Sequence, residues 1–226
     1  MPDAHALVPS TIKQMATSLY AGMGTRKSRL MQRYRSYICP LQEVILEVPP
    51  QASVLDVGCG HGLLLNLLAH LGRIRRGHGF DMARPAIEIA NAVAKAHAFA
   101  PDIAFEARSV EQGIPHLGYE VVTVVDVLHH IPDEHKQAFV SNLCEAVPHG
   151  GRLIIKDMVV TPRWRALANQ LHDLVMAKQW VEQVDPQKIE SWATAHGMQV
   201  IRRGTFNTLW YGHWLLVFQK DGVNND

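Results

Sequence analysis

The sequence lacks the marks of an exported or membrane-spanning chain. It has only three cysteines, Cys39, Cys59 and Cys144, and their odd number and wide spacing fit neither a disulfide framework nor a zinc knuckle. No apolar stretch approaches the run of about 18 residues that a membrane span needs, and no basic segment with a long apolar one opens the chain. We therefore expect a cytoplasmic protein without membrane insertion.

An excess of charge of one sign is missing as well. Lys and Arg number 22 against 21 Asp and Glu, so the formal net charge of +1 provides no global field for nucleic acid. The 13 histidines form no H-E-x-x-H motif and no Cys/His cluster, so no metal is expected. Because 47% of the residues are hydrophobic, the chain can bury one sizeable core, and we expect one domain with appendages.

A glycine-rich turn is the most informative feature that is present. Residues 54–62 read VLDVGCGHG, an apolar run with a carboxylate followed by Gly58, Gly60 and Gly62. Such a turn lets the backbone approach a ligand, and the helix after it directs free N–H groups toward that ligand. The dinucleotide fingerprint G-x-G-x-x-G would need glycine at position 63, where this chain has Leu63. The pattern predicts a nucleotide-type cofactor other than a dinucleotide.

From residue 52 onward, short apolar strands alternate with helical segments, which predicts β-α-β crossovers and a parallel sheet. The predicted strands lie near 53–57, 75–80, 102–106, 121–126, 151–156, 199–205 and 213–219, and the predicted helices near 62–71, 84–98 and 133–147. The last two strands are joined by FNTLWYG, which is too short for a helical crossover. They are therefore predicted to form an antiparallel hairpin.

Five segments in order resemble the motifs of class I S-adenosylmethionine (SAM)-dependent methyltransferases. They are residues 54–62, 79–96, 105–115, 121–133 and 143–157, about half the chain. The resemblance implies an α/β fold, a doubly wound, seven-stranded, mostly parallel sheet of the Rossmann-like methyltransferase type with an antiparallel last strand and a helical cover. It also implies SAM as the cofactor. We expect a helical cover or flap at 1–50, the SAM-binding domain at 51–220 with a helical lid insertion at 161–190, and a tail at 221–226.

The resemblance also implies cofactor-binding residues. The backbone of Gly58, Cys59 and Gly60 would contact the methionine half, and Asp56 its ammonium group. Asp81 ends the second predicted strand, where a carboxylate can accept hydrogen bonds from both ribose hydroxyl groups.

Further cofactor contacts are expected from the second to the fourth motif. Met82 would lie on the adenine face or else pack in the core. In the third motif, Ser109 stands where the family often has an acid, which leaves the Ser109 hydroxyl and the Val110 backbone for the adenine. Asp126 and Val127 would form the floor beneath the sulfonium.

Catalytic and acceptor-binding residues are less defined by the pattern. An imidazole can take a proton from a hydroxyl nucleophile, and His129 is the candidate base, whereas His130 is expected to pack or to border the acceptor. Trp164 on the lid and His213 near the last strand are further acceptor-pocket candidates, with a core or surface position as the alternative for each.

Residues 26–35 hold five basic side chains and no acid. Such a stretch is usually the solvated face of a helix, but it can also grip phosphate in RNA or in a carrier-protein arm. Because this segment precedes the cofactor core, where related enzymes place a flap, Tyr34, Arg33 and Tyr37 are candidate pocket residues.

These patterns favour a methyltransferase acting on a small or medium-sized organic acceptor, aromatic or a carrier-bound acyl group. Oxygen is the first choice of acceptor atom and an aromatic ring carbon the second. The alternatives are an RNA-modifying methyltransferase, which the neutral charge disfavours, and a non-catalytic SAM-binding partner subunit. The acceptor, the general base and the oligomeric state stay open.

Overall fold

Seven strands and seven α-helices make up the described part of the chain. The computed structural model describes residues 7–99, 101–115, 118–159, 185–208 and 211–222. The helices are α1 Pro9–Leu19, α2 Arg26–Ile38, α3 Leu41–Glu47, α4 Leu63–His70, α5 Arg84–His97, α6 Asp133–Ala146 and α7 Pro186–Ala195. The strands are β1 Ala52–Val57, β2 Ile74–Asp81, β3 Asp102–Ala107, β4 Val121–Val125, β5 Arg152–Met158, β6 Met198–Thr208 and β7 Tyr211–Lys220.

The strands form one sheet in the order β3-β2-β1-β4-β5-β7-β6. β2 pairs in parallel with β1 and β3, and β4 pairs in parallel with β5. β7 pairs antiparallel with β5 on one side and with β6 on the other. The predicted strands, the closing hairpin and the position of the last strand between its neighbours are therefore confirmed.

Local sequence explains where the main elements lie. All six residues of β1 are buried, which suits an inner strand whose two faces are both covered. In α4 every residue from Leu63 to Ala69 is buried, because its sequence LLLNLLAH is apolar on nearly all sides. α6 begins after Pro132 with Asp133 and Glu134 in its first turn, where the helix dipole favours acids.

The chain divides into two compact units, residues 1–113 and residues 114–226. The first holds α1 to α5 and β1 to β3, and the second holds α6, α7 and β4 to β7. The sequence patterns did not predict α7, which begins after Asp185, whose side chain accepts a hydrogen bond from the Gln187 backbone at 2.9 Å. α7 packs on α6 and β6. Residues 161–184 of the predicted lid insertion lie outside the described residues, and its last five residues form the start of α7.

The hairpin of β6 and β7 contains one irregularity. Val200 pairs with Phe218 and Arg202 with Val217, so Ile201 is an extra residue on the β6 side. β6 is the outermost strand at this end of the sheet order. The interruption is a β-bulge, which bends the strand and increases its local twist.

Candidate active site

The glycine loop of the first unit is held by its own backbone hydrogen bonds. Gly58, Gly60 and Gly62 have φ of 71°, 53° and 74°, the left-handed region that side chains disfavour. The N–H groups of Gly58 and Cys59 both donate to the Phe80 carbonyl, at 2.9 and 3.1 Å. The loop is thus tied to the end of β2 in one defined conformation.

Gly60 and Gly62 differ in what surrounds them. A Cβ atom at Gly62 would lie 2.7 Å from the Phe105 ring and 2.8 Å from the Ala90 methyl group. A Cβ atom at Gly60 would meet no atom of the described residues within 4 Å. Gly62 therefore lets the loop pack tightly on β3 and α5, whereas Gly60 borders open space.

The Asp81 carboxylate lies at this open side of the loop. Its Oδ2 accepts from the Gly60 N–H at 2.9 Å, and its Oδ1 accepts from the Ala83 N–H at 2.8 Å. Because each carboxylate oxygen has two acceptor positions, both can still receive a hydroxyl donor. The two backbone bonds fix the direction in which the carboxylate presents them.

The Cys59 side chain packs against β2. A Cβ atom at Gly79 would lie 2.9 Å from the Cys59 Sγ, so glycine at that position makes room for the thiol. Burial, and then the negative charges of Asp56 and Asp81, raise the pKa of the Cys59 thiol. The thiol therefore stays protonated, as expected for a residue that takes part through its backbone.

The hydroxyl of Tyr20 connects α1 to the glycine loop, a contact that the sequence patterns did not predict. The hydroxyl donates to the His61 carbonyl at 2.7 Å and accepts from the Asn66 Nδ2 at 3.3 Å. Burial raises the pKa of Tyr20, so the phenol keeps the proton that it donates. The only sequence signal for this contact was that Tyr20 directly follows the apolar face of α1.

The remaining predicted cofactor residues of the first unit have mixed surroundings. Met82 is 79% exposed, which eliminates core packing and leaves its thioether accessible. The Ser109 hydroxyl accepts from the Glu111 N–H at 3.2 Å as the cap of a 3₁₀ turn that begins at Val110, and its own proton can still be donated. Next to Ser109, Arg108 donates to the backbone carbonyls of Gln112 and Gly113, at 2.8 and 3.1 Å.

In the second unit, Asp126 follows β4 in a strained backbone conformation. Its φ is 57°, uncommon for a residue other than glycine and frequent at functional sites. The carboxylate forms an ion pair with Lys156, and the Asp126 N–H donates to the Lys156 carbonyl at 2.9 Å. The Lys156 side chain has 0% exposure, so the pair is buried. A lysine within the apolar run LIIKD was the available signal for this partner.

His129 forms a second buried pair in this unit. Its Nδ1 lies 2.6 Å from the Asp157 Oδ1, and each side chain is 4% exposed. The same oxygen accepts from the Met158 N–H at 2.7 Å, which orients the carboxylate. The ring of His130 lies 4.1 Å from that of His129, and His130 is exposed. His130 therefore lies at the surface beside His129, which argues against the packing alternative and leaves a position bordering the acceptor as the prediction.

Three other predicted acceptor-site residues have known positions. His213 on β7 is 1% exposed, with its Nε2 lying 2.9 Å from the Thr208 hydroxyl, so the core alternative applies. Tyr34 and Tyr37 on α2 have ring centroids 6.3 Å apart. The Lys13 ammonium lies 4.8 Å from the Tyr34 ring centroid. Trp164 lies outside the described residues.

These features of the first unit fit a nucleoside ligand. The Asp81 oxygens can accept ribose hydroxyls, the space beside Gly60 is open, and the exposed Met82 thioether can contact a flat base. Among the described residues, no group of three or more His, Cys, Asp or Glu is arranged to hold a metal ion. None of the described helices is both long and apolar enough for a membrane span.

Comparison with known proteins gives a consistent result. A family model described as a methyltransferase domain matches residues 30–203, well over half of the chain. Ubiquinone biosynthesis O-methyltransferase of Shewanella sp. strain ANA-3 is 33% identical over 98 residues, which cover 43% of this chain and 40% of that protein. Demethylspheroidene O-methyltransferase of Rhodobacter capsulatus is 26% identical over 137 residues, which cover 61% and 33%. The matches thus span roughly a third to two fifths of these relatives' lengths.

The fold has solved counterparts. Magnesium protoporphyrin IX methyltransferase from Synechocystis PCC 6803 with bound S-adenosylhomocysteine (SAH) superposes with a TM-score of 0.67 at 20% identity, covering 94% of this chain and 95% of that chain. An O-methyltransferase family protein from Burkholderia thailandensis gives 0.65 at 21% identity, covering 88% and 62%. At sequence identities of 20% and 21%, these superpositions show a shared fold alone.

Proposed function

Since this chain belongs to the methyltransferase domain family, as a class I SAM-dependent methyltransferase, we propose that it methylates an oxygen atom of a small or medium-sized organic acceptor. The observation that carries this choice is the recurrence of small-molecule O-methyltransferases among the curated relatives. The buried pair of His129 and Asp157 supports it, since oxygen acceptors must lose a proton and this pair can receive one.

The first unit would bind the cofactor. Asp81 accepts the ribose hydroxyls, with its carboxylate held in place by the Gly60 and Ala83 N–H groups. Gly60 leaves the space that the ligand requires, and Met82 contacts the adenine. Asp56, 3% exposed at the end of β1, favours the ammonium group of the methionine half.

The second unit would handle the acceptor's proton. When bound, SAM supplies a methyl group on a sulfonium that is already a strong electrophile, so the protein contributes mainly alignment. With Nδ1 of His129 held 2.6 Å from the Asp157 carboxylate, Nε2 is the ring nitrogen that we assign to proton transfer. His129 Nε2 takes the hydroxyl proton of the acceptor, and Asp157 stabilises the resulting imidazolium. A ring carbon activated by a phenol is the second choice of acceptor atom.

A transfer assay tests this function. The protein is incubated with SAM labelled in the methyl group and, separately, with a panel of phenols, catechols and hydroxy acids, with amines and thiols of matched size, and with total RNA. We expect labelled product and SAH only with oxygen acceptors. Labelled RNA, or SAM binding without transfer to any member of the panel, would contradict the proposal. The first result favours the RNA-modifying alternative and the second the non-catalytic one.

A further inference from the structure

A cleft in the first unit is lined by α1, α2 and the turn between them, and no cofactor position of the glycine loop borders it. Its volume is about 300 Å³. Its lining includes Ala16, Tyr20, Arg26, Arg29, Leu30 and Arg33. Ala16 and Tyr20 are 1% and 2% exposed and form an apolar floor, whereas the arginines belong to the outer helix. The volume falls at the lower end of the range for small-molecule sites.

Three arginines face this cleft because of their spacing. Arg26, Arg29 and Arg33 are three and four residues apart, so they lie on one face of α2, whereas the exposed Lys27 is not among the lining residues. The sequence analysis noted a basic stretch without acids, and the structure shows that three of its members share one cavity. Like charges at this spacing destabilise a helix unless an anion offsets them.

The two helices that line the cleft carry no acidic side chain. Residues 7–42, which include α1 and α2, contain no Asp or Glu. Arg29 donates to the Gly24 carbonyl at 2.8 Å, a neutral acceptor, and the Arg33 guanidinium lies 5.5 Å from the Tyr34 ring. Within the described residues, neither Arg26 nor Arg33 makes an ion pair. The guanidinium groups are therefore available for an anionic ligand.

We propose that the α1–α2 cleft binds an organic anion, a phosphate or carboxylate group carried on an apolar body. Guanidinium groups match the geometry of both oxyanions and can bind them through two parallel hydrogen bonds. The floor of Ala16 and Tyr20, with the 59% exposed Leu30 at the side, contacts the apolar part. None of the cofactor candidates of the glycine loop lines this cleft, and its binding test does not depend on methyl transfer.

Calorimetric titration tests the proposal with four probes: phenyl phosphate, benzoate, inorganic phosphate and phenol. We expect one or both aryl anions to bind at least about tenfold more tightly than inorganic phosphate and phenol, since only they satisfy both the arginines and the floor. Comparing phenyl phosphate with benzoate identifies the preferred oxyanion. The proposal would be overturned if neither aryl anion binds, or if neither binds more tightly than inorganic phosphate and phenol do.

Two variants locate the binding. Replacing both Arg26 and Arg33 by Gln should weaken aryl-anion binding about tenfold. Each exposed ion pair contributes about threefold to the affinity, and the two factors multiply. Lys27→Gln is the matched control, because it removes the same charge from the same helix outside the cleft, and it should leave the affinity unchanged. Thermal melting checks that both variants fold. If Lys27→Gln weakens binding as much as the double variant does, a diffuse field and not the cleft attracts the anion, and the proposal is wrong.

Discussion

Alanine substitutions at Gly60, Gly62 and Gly72 separate backbone strain, packing and cofactor binding. All three glycines are left-handed, with φ of 53°, 74° and 63°. An alanine in that region costs about 1–2 kcal/mol, partly offset by about 0.4–1 kcal/mol from the stiffer unfolded chain. Each variant should therefore lose about 1 kcal/mol of unfolding free energy from strain alone.

Packing adds a second cost only at Gly62. The new methyl group would lie 2.7 Å from the Phe105 ring and 2.8 Å from the Ala90 methyl group, whereas at Gly60 and Gly72 it would meet no atom within 4 Å in the part of the chain that the structure describes. Overpacking a core costs about 1–3 kcal/mol more. Since 1 kcal/mol shifts the melting temperature of a domain of this size by about 2–4 °C, Gly62→Ala should melt several degrees below the other two.

Cofactor binding should follow a different order. If SAM fills the open space beside Gly60, Gly60→Ala should lose at least about tenfold in SAM affinity, because the methyl group displaces the ligand from the Asp81 carboxylate. Gly72→Ala carries the same strain in the turn after α4 and should bind SAM as the wild type does. Differential scanning calorimetry and SAM titration measure both properties. Unchanged SAM affinity in folded Gly60→Ala would refute the placement of the cofactor.

Three other perturbations test the site. Asp81→Ala should weaken SAM binding about tenfold or more, since bonds to a charged group contribute about 1.5–3 kcal/mol each, and an unchanged dissociation constant in the folded variant would contradict the ribose role. His129→Gln and Asp157→Asn should each lower kcat while leaving SAM affinity intact; an unchanged kcat in both folded variants would exclude this pair from proton transfer. Burial lowers the pKa of His61 in the folded protein, so unfolding free energy should fall as the pH drops through the ordinary histidine value of about 6.5. Urea unfolding of His61→Gln at pH 7.5 and 5.5 should show a smaller fall than the wild type, and an equal fall would count against the assignment.

The elements of the sheet could be predicted because their apolar runs and glycine turns are local signals. The pairing of β6 with β7 also followed, since the short connection before β7 allows only a hairpin, whereas the position of β7 between its neighbours came from the family resemblance. The hydrogen-bond and ion-pair partners of the site residues could not be predicted from the sequence. Lys156 and Asp157 lie about thirty residues from Asp126 and His129, and only the parallel pairing of β4 with β5 brings these residues together. The contact of Tyr20 with the glycine loop likewise depends on how α1 packs, which periodicity does not determine.

The bulge at Ile201 has a consequence for how the protein behaves at high concentration. An outermost strand presents a row of unpaired backbone groups, which another chain can use as a template for aggregation. The extra residue in β6 breaks that row after Val200, and the exposed Arg203, paired with Glu190 on α7, places charge on the same strand. Deleting Ile201 would restore a regular ladder with β7 and give β6 a continuous edge. The same residue that disturbs the pairing within the sheet thus protects the protein from pairing between molecules.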